Sequence, residues 1–152
     1  MSSATPSRVL CVCSGNTCRS PMLETLVRAT LENAHIDSVV VSSAGTGATD
    51  GDHASSGAQR AMQRRGLSLG HHLSRNVRSI DLATYDQFWC MTPSHAASLL
   101  AMGVPAAAIH VVNAAGGGVP DPWGGDDDDY EACAVVLELA ARDLAELFST
   151  RE

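Results

Sequence analysis

Lysine is absent from this 152-residue chain, and all ten of its basic residues are arginine. Alanine is abundant, so the missing lysine reads as a compositional bias of the genome. Against 17 Asp and Glu, the arginines leave a formal charge of −7. A chain so acidic lacks the basic surface that a phosphate backbone requires, which excludes nucleic acid as its main partner. Long apolar runs are missing too. Residues 1–8 are polar and the apolar run after them is short, so neither a secretory signal nor a membrane span is expected. Five cysteines, an odd number without such a signal, do not make a disulfide scaffold, and a reduced, cytoplasmic setting is the expectation. Metal-ligand spacing is absent as well. His71 and His72 are adjacent and cannot both face one ion from a simple turn, and no Cys or carboxylate set is spaced to join them. No metal or other cofactor is expected.

What is present reads as one domain over 1–152, with residues 1–7 a loose tail. No repeat or second unit appears. A chain of this length buries about 68–70% of its unfolded surface, enough for a core. Arg8–Val12 predicts a buried strand. Pro21 predicts a helix start, with Leu23, Leu26, Val27 and Leu31 at helical spacing. Ser38–Ser42 predicts a second strand. Ala54–Arg65 is a weaker helix stopped by Gly66, and Gln87–Met91 a third strand. Thr92-Pro93 opens a helix that runs to Met102, and Ile109–Val112 is a fourth strand. Gly116-Gly117-Gly118 reads as a flexible joint. Asp126–Asp129 is expected as the solvated start of a final helix, because the helix dipole favours carboxylates there, with substrate recognition as the alternative. Along that helix Tyr130, Cys133, Leu137, Ala140, Leu144 and Leu147 form one packed face. Cys11 and Cys90 are expected as small core residues. Strands alternating with helices predict an α/β fold: a four-stranded parallel sheet between two helical layers.

The chemistry concentrates after the first strand, in Cys13-Ser14-Gly15-Asn16-Thr17-Cys18-Arg19-Ser20-Pro21. Ligands of open α/β sheets bind beyond the carboxyl ends of strands, which is where this string falls. A free thiol is only a few per cent ionised at neutral pH. The positive end of the following helix, converging loop N–H groups and Arg19 are all expected to favour the Cys13 thiolate. The same N–H groups, from Ser14 to Arg19, would hold a phosphoryl dianion, with the planar Arg19 fork on two of its oxygens. Ser20 can donate to the sulfur. Asp121, before Pro122 on a Gly-rich loop, is the candidate general acid, since a carboxylate beside a dianion more readily keeps a proton.

The string CSGNTCRSPM resembles the active-site loop of the low-molecular-weight protein phosphatases, and the resemblance extends over nearly the whole chain. Ser43-Ala44-Gly45-Thr46 is similar to that family's small-residue segment after the second strand, His72-Leu73-Ser74 to its His-x-Ser/Ala segment, and Asp121-Pro122 to its general-acid motif. The resemblance implies that Asn16 and Ser43 brace the loop, with His72 in support. It also implies a protective disulfide between Cys13 and Cys18 under oxidation. The expected reaction is attack of Cys13 on phosphorus while Asp121 protonates the leaving group. Water then hydrolyses the phosphocysteine, releasing inorganic phosphate from a phosphorylated protein.

Three features bear on the leaving group. Tyrosine-directed members usually carry an apolar residue where Thr17 stands, and bacterial arginine-directed members carry Thr. A hydroxyl there can meet a guanidinium N–H, which an apolar wall would leave unpaired. Trp123 is followed by Gly124-Gly125, and Met91-Thr92 precedes the third helix, both resembling the arginine-directed pattern. Phosphoarginine is therefore the favoured substrate and phosphotyrosine the alternative. An arsenate reductase would need two further cysteines close together near the third strand, where Cys90 stands alone and Cys133 lies far along the chain. A non-catalytic phosphoresidue-binding module would be expected to lose Cys13 or Asp121.

Overall fold

The computed structural model describes residues 5–149. Four parallel strands, β1 (Ser7–Cys13), β2 (Val39–Gly45), β3 (Gln87–Cys90) and β4 (Ile109–Val111), form one sheet in the order β2-β1-β3-β4. The helices are α1 (Arg19–Asn33), α2 (Ser56–Gln63), α3 (Pro93–Ala101) and α4 (Asp127–Ser149). β1 is central and apolar on both faces, as a strand covered by helices on each side must be. Val9, Cys11 and Cys13 join the core under α1, α2 and α4. Leu10 and Val12 join the smaller core under α3, with Phe88, Cys90, Leu99 and Val77. This is the three-layer α/β/α architecture the alternation predicts, and Cys11 and Cys90 are both buried within it.

Most elements fall where their spacing puts them, with physical reasons for the departures. Ser7, expected in a loose tail, instead opens β1 and donates its N–H to the Ser38 carbonyl at 2.9 Å. Residues 1–4 of that expected tail lie outside the described residues. α1 begins at Arg19 rather than Pro21. Its first i→i−4 bond runs from the Met22 N–H to the Cys18 carbonyl, so the missing N–H of Pro21 breaks no bond. α3 opens with a capping box between Thr92 and His95. On α4 the packed stripe holds at Tyr130, Cys133, Leu137, Ala140 and Leu144, but Leu147 is 45% exposed and Phe148 is buried in its place. At about 100° per residue the helix face has drifted past position 147 by its last turn.

The Gly116–Gly118 segment is a hydrogen-bonded turn rather than a loose joint. The N–H groups of Gly116 and Gly118 donate to the Asn113 carbonyl, and Asn113 Nδ2 donates to the Gly118 carbonyl at 3.0 Å. Gly118 has φ +107°, and a Cβ there would come within 2.7 Å of the Met91 carbonyl oxygen. The next residue, Val119, donates its N–H to that same oxygen at 2.6 Å. The acid-bearing loop is thereby tied to the carboxyl end of β3. The strand order reverses between β1 and β3, so the crevice at their carboxyl ends is the expected ligand position. Among the described residues no helix is long and apolar enough to cross a membrane.

Candidate active site

Both the thiol and the guanidinium are set by the junction of β1 and α1. Cys13 is the last residue of β1, and Arg19 is the first of α1. Between them the backbone turns through Asn16, which is wholly buried with φ +56°, a left-handed conformation that Asn adopts more readily than most residues. Four bonds hold it there. Its Nδ2 donates to the hydroxyls of Ser20 and Ser43, each at 2.9 Å. Its Oδ1 accepts the Arg75 N–H at 2.8 Å, which fixes the amide orientation. Its carbonyl accepts from His72 Nε2 at 2.7 Å. Ser43 in turn donates to Glu24 Oε1 at 2.6 Å, and Glu24 pairs with Arg28. Gly45 leaves room for the loop, since a Cβ there would stand 2.3 Å from the Ser14 carbonyl oxygen.

Ser20 Oγ lies 2.8 Å from Cys13 Sγ. Ser20 accepts from Asn16, and its own proton has the sulfur at 2.8 Å as a nearer acceptor than the Ala44 carbonyl at 3.5 Å. Backbone N–H groups of Ser20 and Asn16 also reach the sulfur. The net effect on the thiol differs from the sequence expectation. Burial pushes Cys13 up from the ordinary thiol value. The Ser20 hydroxyl, the Ser20 N–H, Arg19 and the Asn16 N–H pull it down without cancelling that push. Expecting a favoured thiolate counted the donors and omitted the desolvation of a sulfur that is only 2% exposed.

Arg19 is buried and oriented from behind. One terminal nitrogen donates to the Val119 carbonyl at 2.8 Å, and the other lies 3.6 Å from Asp121 Oδ2. Its Nε is buried and has no acceptor among the described residues. An orphaned buried donor costs about 1–3 kcal/mol, a cost that an incoming anionic oxygen at this position would offset. The helix behind it has no side-chain N-cap, so the first-turn N–H groups of α1 also stay available to an anion.

These groups meet at a cavity of about 230 Å³ lined by Cys13, Gly15, Thr17, Cys18, Arg19, Asp121 and Trp123. The Asp121 side chain is 51% exposed, and its Oδ1 accepts the Trp123 N–H at 3.1 Å. Trp123 is 71% exposed, with its indole at the cavity mouth. Ser14 and Asn16 face elsewhere, Ser14 toward α3 and Asn16 into its bracing network. The Cys18 sulfur sits 3.2 Å from Ser55 Oγ and 3.4 Å from Tyr130 Oη. All five cysteines are free thiols, Cys13 and Cys18 included. Among the described residues no group of His, Cys, Asp and Glu is arranged to hold a metal ion.

Sequence reasoning missed several contributors. His95 is buried, and its Nδ1 accepts the Thr92 N–H at 3.1 Å. Nε2 therefore carries the proton and donates to Ser14 Oγ at 2.8 Å. Burial and the nearby Arg19 push His95 down to about 4, against a smaller upward pull from Asp121, so it is neutral at neutral pH. Arg75, Ser55 and Tyr130 were missed too. His95, at the third helical position after Thr92, carries the capping-box spacing, which was the one signal available for it.

Comparison with known proteins agrees with this geometry. A family described as low molecular weight phosphotyrosine protein phosphatase matches residues 8–151. The protein-arginine-phosphatase of Geobacillus stearothermophilus is 34% identical, over 97% of this chain and 99% of its own. A low molecular weight protein tyrosine phosphatase structure from T. tengcongensis aligns with a TM-score of 0.86 and 33% identity, covering 92% of this chain and 98% of that one. A cysteine-to-serine mutant of the YwlE arginine phosphatase, with a phosphorylated active-site serine, aligns with a TM-score of 0.84 and 29% identity, covering 93% and 95%.

Proposed function

The chain belongs to the low molecular weight phosphotyrosine protein phosphatase family, whose chemistry is cysteine-based, and from that premise we propose that it removes phosphate from phosphoarginine in proteins. Cys13 attacks phosphorus in line, its thiol proton passing to an oxygen of the bound phosphoryl dianion as the S–P bond forms. The orphaned Arg19 Nε, the outer Arg19 nitrogen and the loop amides take the equatorial oxygens. Asp121 protonates the departing guanidine nitrogen as the P–N bond breaks. Ser20 steadies the sulfur as a thiolate when it leaves in the second step, in which water attacks the phosphocysteine and Asp121 accepts its proton. The phosphorylated serine of the YwlE mutant supports a covalent phosphoryl intermediate at the nucleophile position.

The observation that carries the arginine reading is Thr17 lining the same cavity as Cys13, Arg19 and Asp121. A phosphoguanidinium brings N–H donors past the phosphorus, and the Thr17 hydroxyl is an acceptor within that wall. An apolar residue there would leave a buried donor unpaired at about 1–3 kcal/mol, which is roughly 5- to 150-fold in kcat/KM. The phosphotyrosine reading keeps support from the family description and the T. tengcongensis phosphatase. The test measures kcat/KM on matched phosphoarginine and phosphotyrosine peptides for the unaltered enzyme and Thr17→Ile. The unaltered enzyme is expected to favour phosphoarginine, with Thr17→Ile shifting the ratio toward phosphotyrosine by at least about fivefold. A phosphotyrosine preference in the unaltered enzyme, or a ratio indifferent to the substitution, overturns the arginine assignment.

A further inference from the structure

The acid-bearing loop is a thin partition with a cavity on each side. The catalytic cavity is the smaller. The other, of about 520 Å³, lies between that loop and α4, and Asp121 and Trp123 line both. Pro122, Trp123, Cys133 and Val136 give the second cavity apolar walls. Asp121 and Asp129 are the charged residues in its lining, and no Arg or His is among them. Asp121 has Arg19 at 3.6 Å on its catalytic side, and the acidic groups two residues either side of Asp129 are also paired: Asp127 with Arg60 and Glu131 with Arg64 and Arg65. Asp129 accepts the Asp126 N–H through Oδ2 at 3.0 Å and has no Arg or His ion-pair partner among the described residues. The indole of Trp123, 71% exposed, has no packing role in the core that would explain a large aromatic at this position.

From this continuity we propose that the second cavity is a substrate subsite for a cationic side chain, Arg or Lys, next to the phosphoresidue in the same polypeptide. The proposal rests on the protein-phosphatase reading and not on the choice between arginine and tyrosine. Neighbouring Cα atoms lie about 3.8 Å apart, so a chain whose phosphoresidue enters the catalytic cavity carries its neighbour across the Asp121–Trp123 partition. A long methylene stem suits the proline, valine and cysteine walls. Its charged head meets a carboxylate and the face of an indole, a pairing in which cations are held by both Coulomb attraction and the ring quadrupole. An acidic neighbour would instead be placed beside the Asp129 carboxylate.

The experiment uses two phosphopeptide frames, one carrying phosphoarginine and one phosphotyrosine, each with Arg, Ala or Glu at the adjacent position. Within a frame, KM for the Arg-flanked peptide is expected to fall roughly tenfold below that of the Glu-flanked peptide, with kcat little changed. Asp129→Asn keeps a cap acceptor for the Asp126 N–H but removes the charge, and is expected to shrink that KM ratio severalfold. Ala132→Arg places a guanidinium on the exposed cavity rim, and is expected to bring the ratio to one or invert it. Each ratio is internal to one variant, so altered overall activity does not obscure it. Equal KM values across the flanking series, or a ratio that survives both substitutions, overturn the subsite. The phosphoarginine preference is read between frames and the subsite within them, so either fails independently.

Discussion

Ser20 has two jobs that a single substitution can separate from folding. It accepts from Asn16 and stands 2.8 Å from the Cys13 sulfur, so its proton favours the thiolate both before attack and at departure. Burial pushes the thiol up and the Ser20 hydroxyl is the largest of the opposing influences. Ser20→Ala is therefore expected to move the pH midpoint of Cys13 alkylation by iodoacetamide upward. A hydrogen bond to a charged group is worth about 1.5–3 kcal/mol, so kcat should drop by roughly 10- to 150-fold. An unmoved midpoint would show that Ser20 donates elsewhere. His95 gives a second residue-scale expectation with a definite sign. An unfolded histidine takes up a proton near 6.5, whereas folded His95 resists protonation down to about 4. Its contribution to stability is thus complete above about pH 6.5 and is lost as pH falls toward 4. The melting temperature of His95→Gln should vary less across that window than that of the unaltered chain. At this scale legibility followed distance along the chain. Cys13, Asn16, Arg19 and Ser20 sit within eight residues and announce one another. Ser14 and His95 are 81 positions apart, and Cys18 and Tyr130 are 112 apart. Their side chains meet only after the layers pack, so neither contact leaves a mark on local spacing.

Among the elements, α2 and α4 show how an interface can override intrinsic propensity. α2 is short, and Gly57 in its first turn faces the Tyr130 ring, where a Cβ would come within 2.3 Å of a ring carbon. Alanine in a helix is ordinarily favoured over glycine by about 0.8–1.0 kcal/mol. Here the added methyl would overpack the interface, at typically 1–3 kcal/mol, and displace the Tyr130 and Ser55 hydroxyls that hold the Cys18 sulfur. Gly57→Ala is accordingly expected to lower the melting temperature, the reverse of the propensity rule. A rise would mean that the ring can move aside freely. The sequence made α2 a weak helix because only its packing reveals what the glycine is for. Period and capping made the other helices legible. Their ends were less so, since the start of α1 depends on which carbonyl receives the Met22 N–H, and the final turn of α4 on how far its face has rotated. In both cases the type of element follows from side-chain pattern, while its limits follow from backbone bonds that no pattern encodes.

For the whole molecule, charge separates two kinds of substrate. The chain carries −7 overall; Asp121 lines the catalytic cavity and Asp129 the neighbouring one. Only Arg19 among the lining residues of the smaller cavity is cationic. A small dianion such as para-nitrophenyl phosphate must approach through a field of its own sign before it reaches that cavity. A phosphopeptide with basic neighbours approaches through a field of opposite sign. Screening acts on both, with a Debye length of about 10 Å at 0.1 M salt and about 3 Å at 1 M. The two substrates should therefore respond to salt in opposite directions. Added sodium chloride is expected to raise kcat/KM for para-nitrophenyl phosphate and to lower it for a basic phosphopeptide, each by a few-fold between 0.05 and 0.5 M, the span over which most of this field is screened. Chloride competing for Arg19 and the loop amides would lower both together, and a sulfate control, which binds such amides more strongly, distinguishes that case. If the two substrates respond alike in both salts, the long-range field of this acidic chain plays no part in choosing what it dephosphorylates, and selection falls entirely to contacts inside the two cavities.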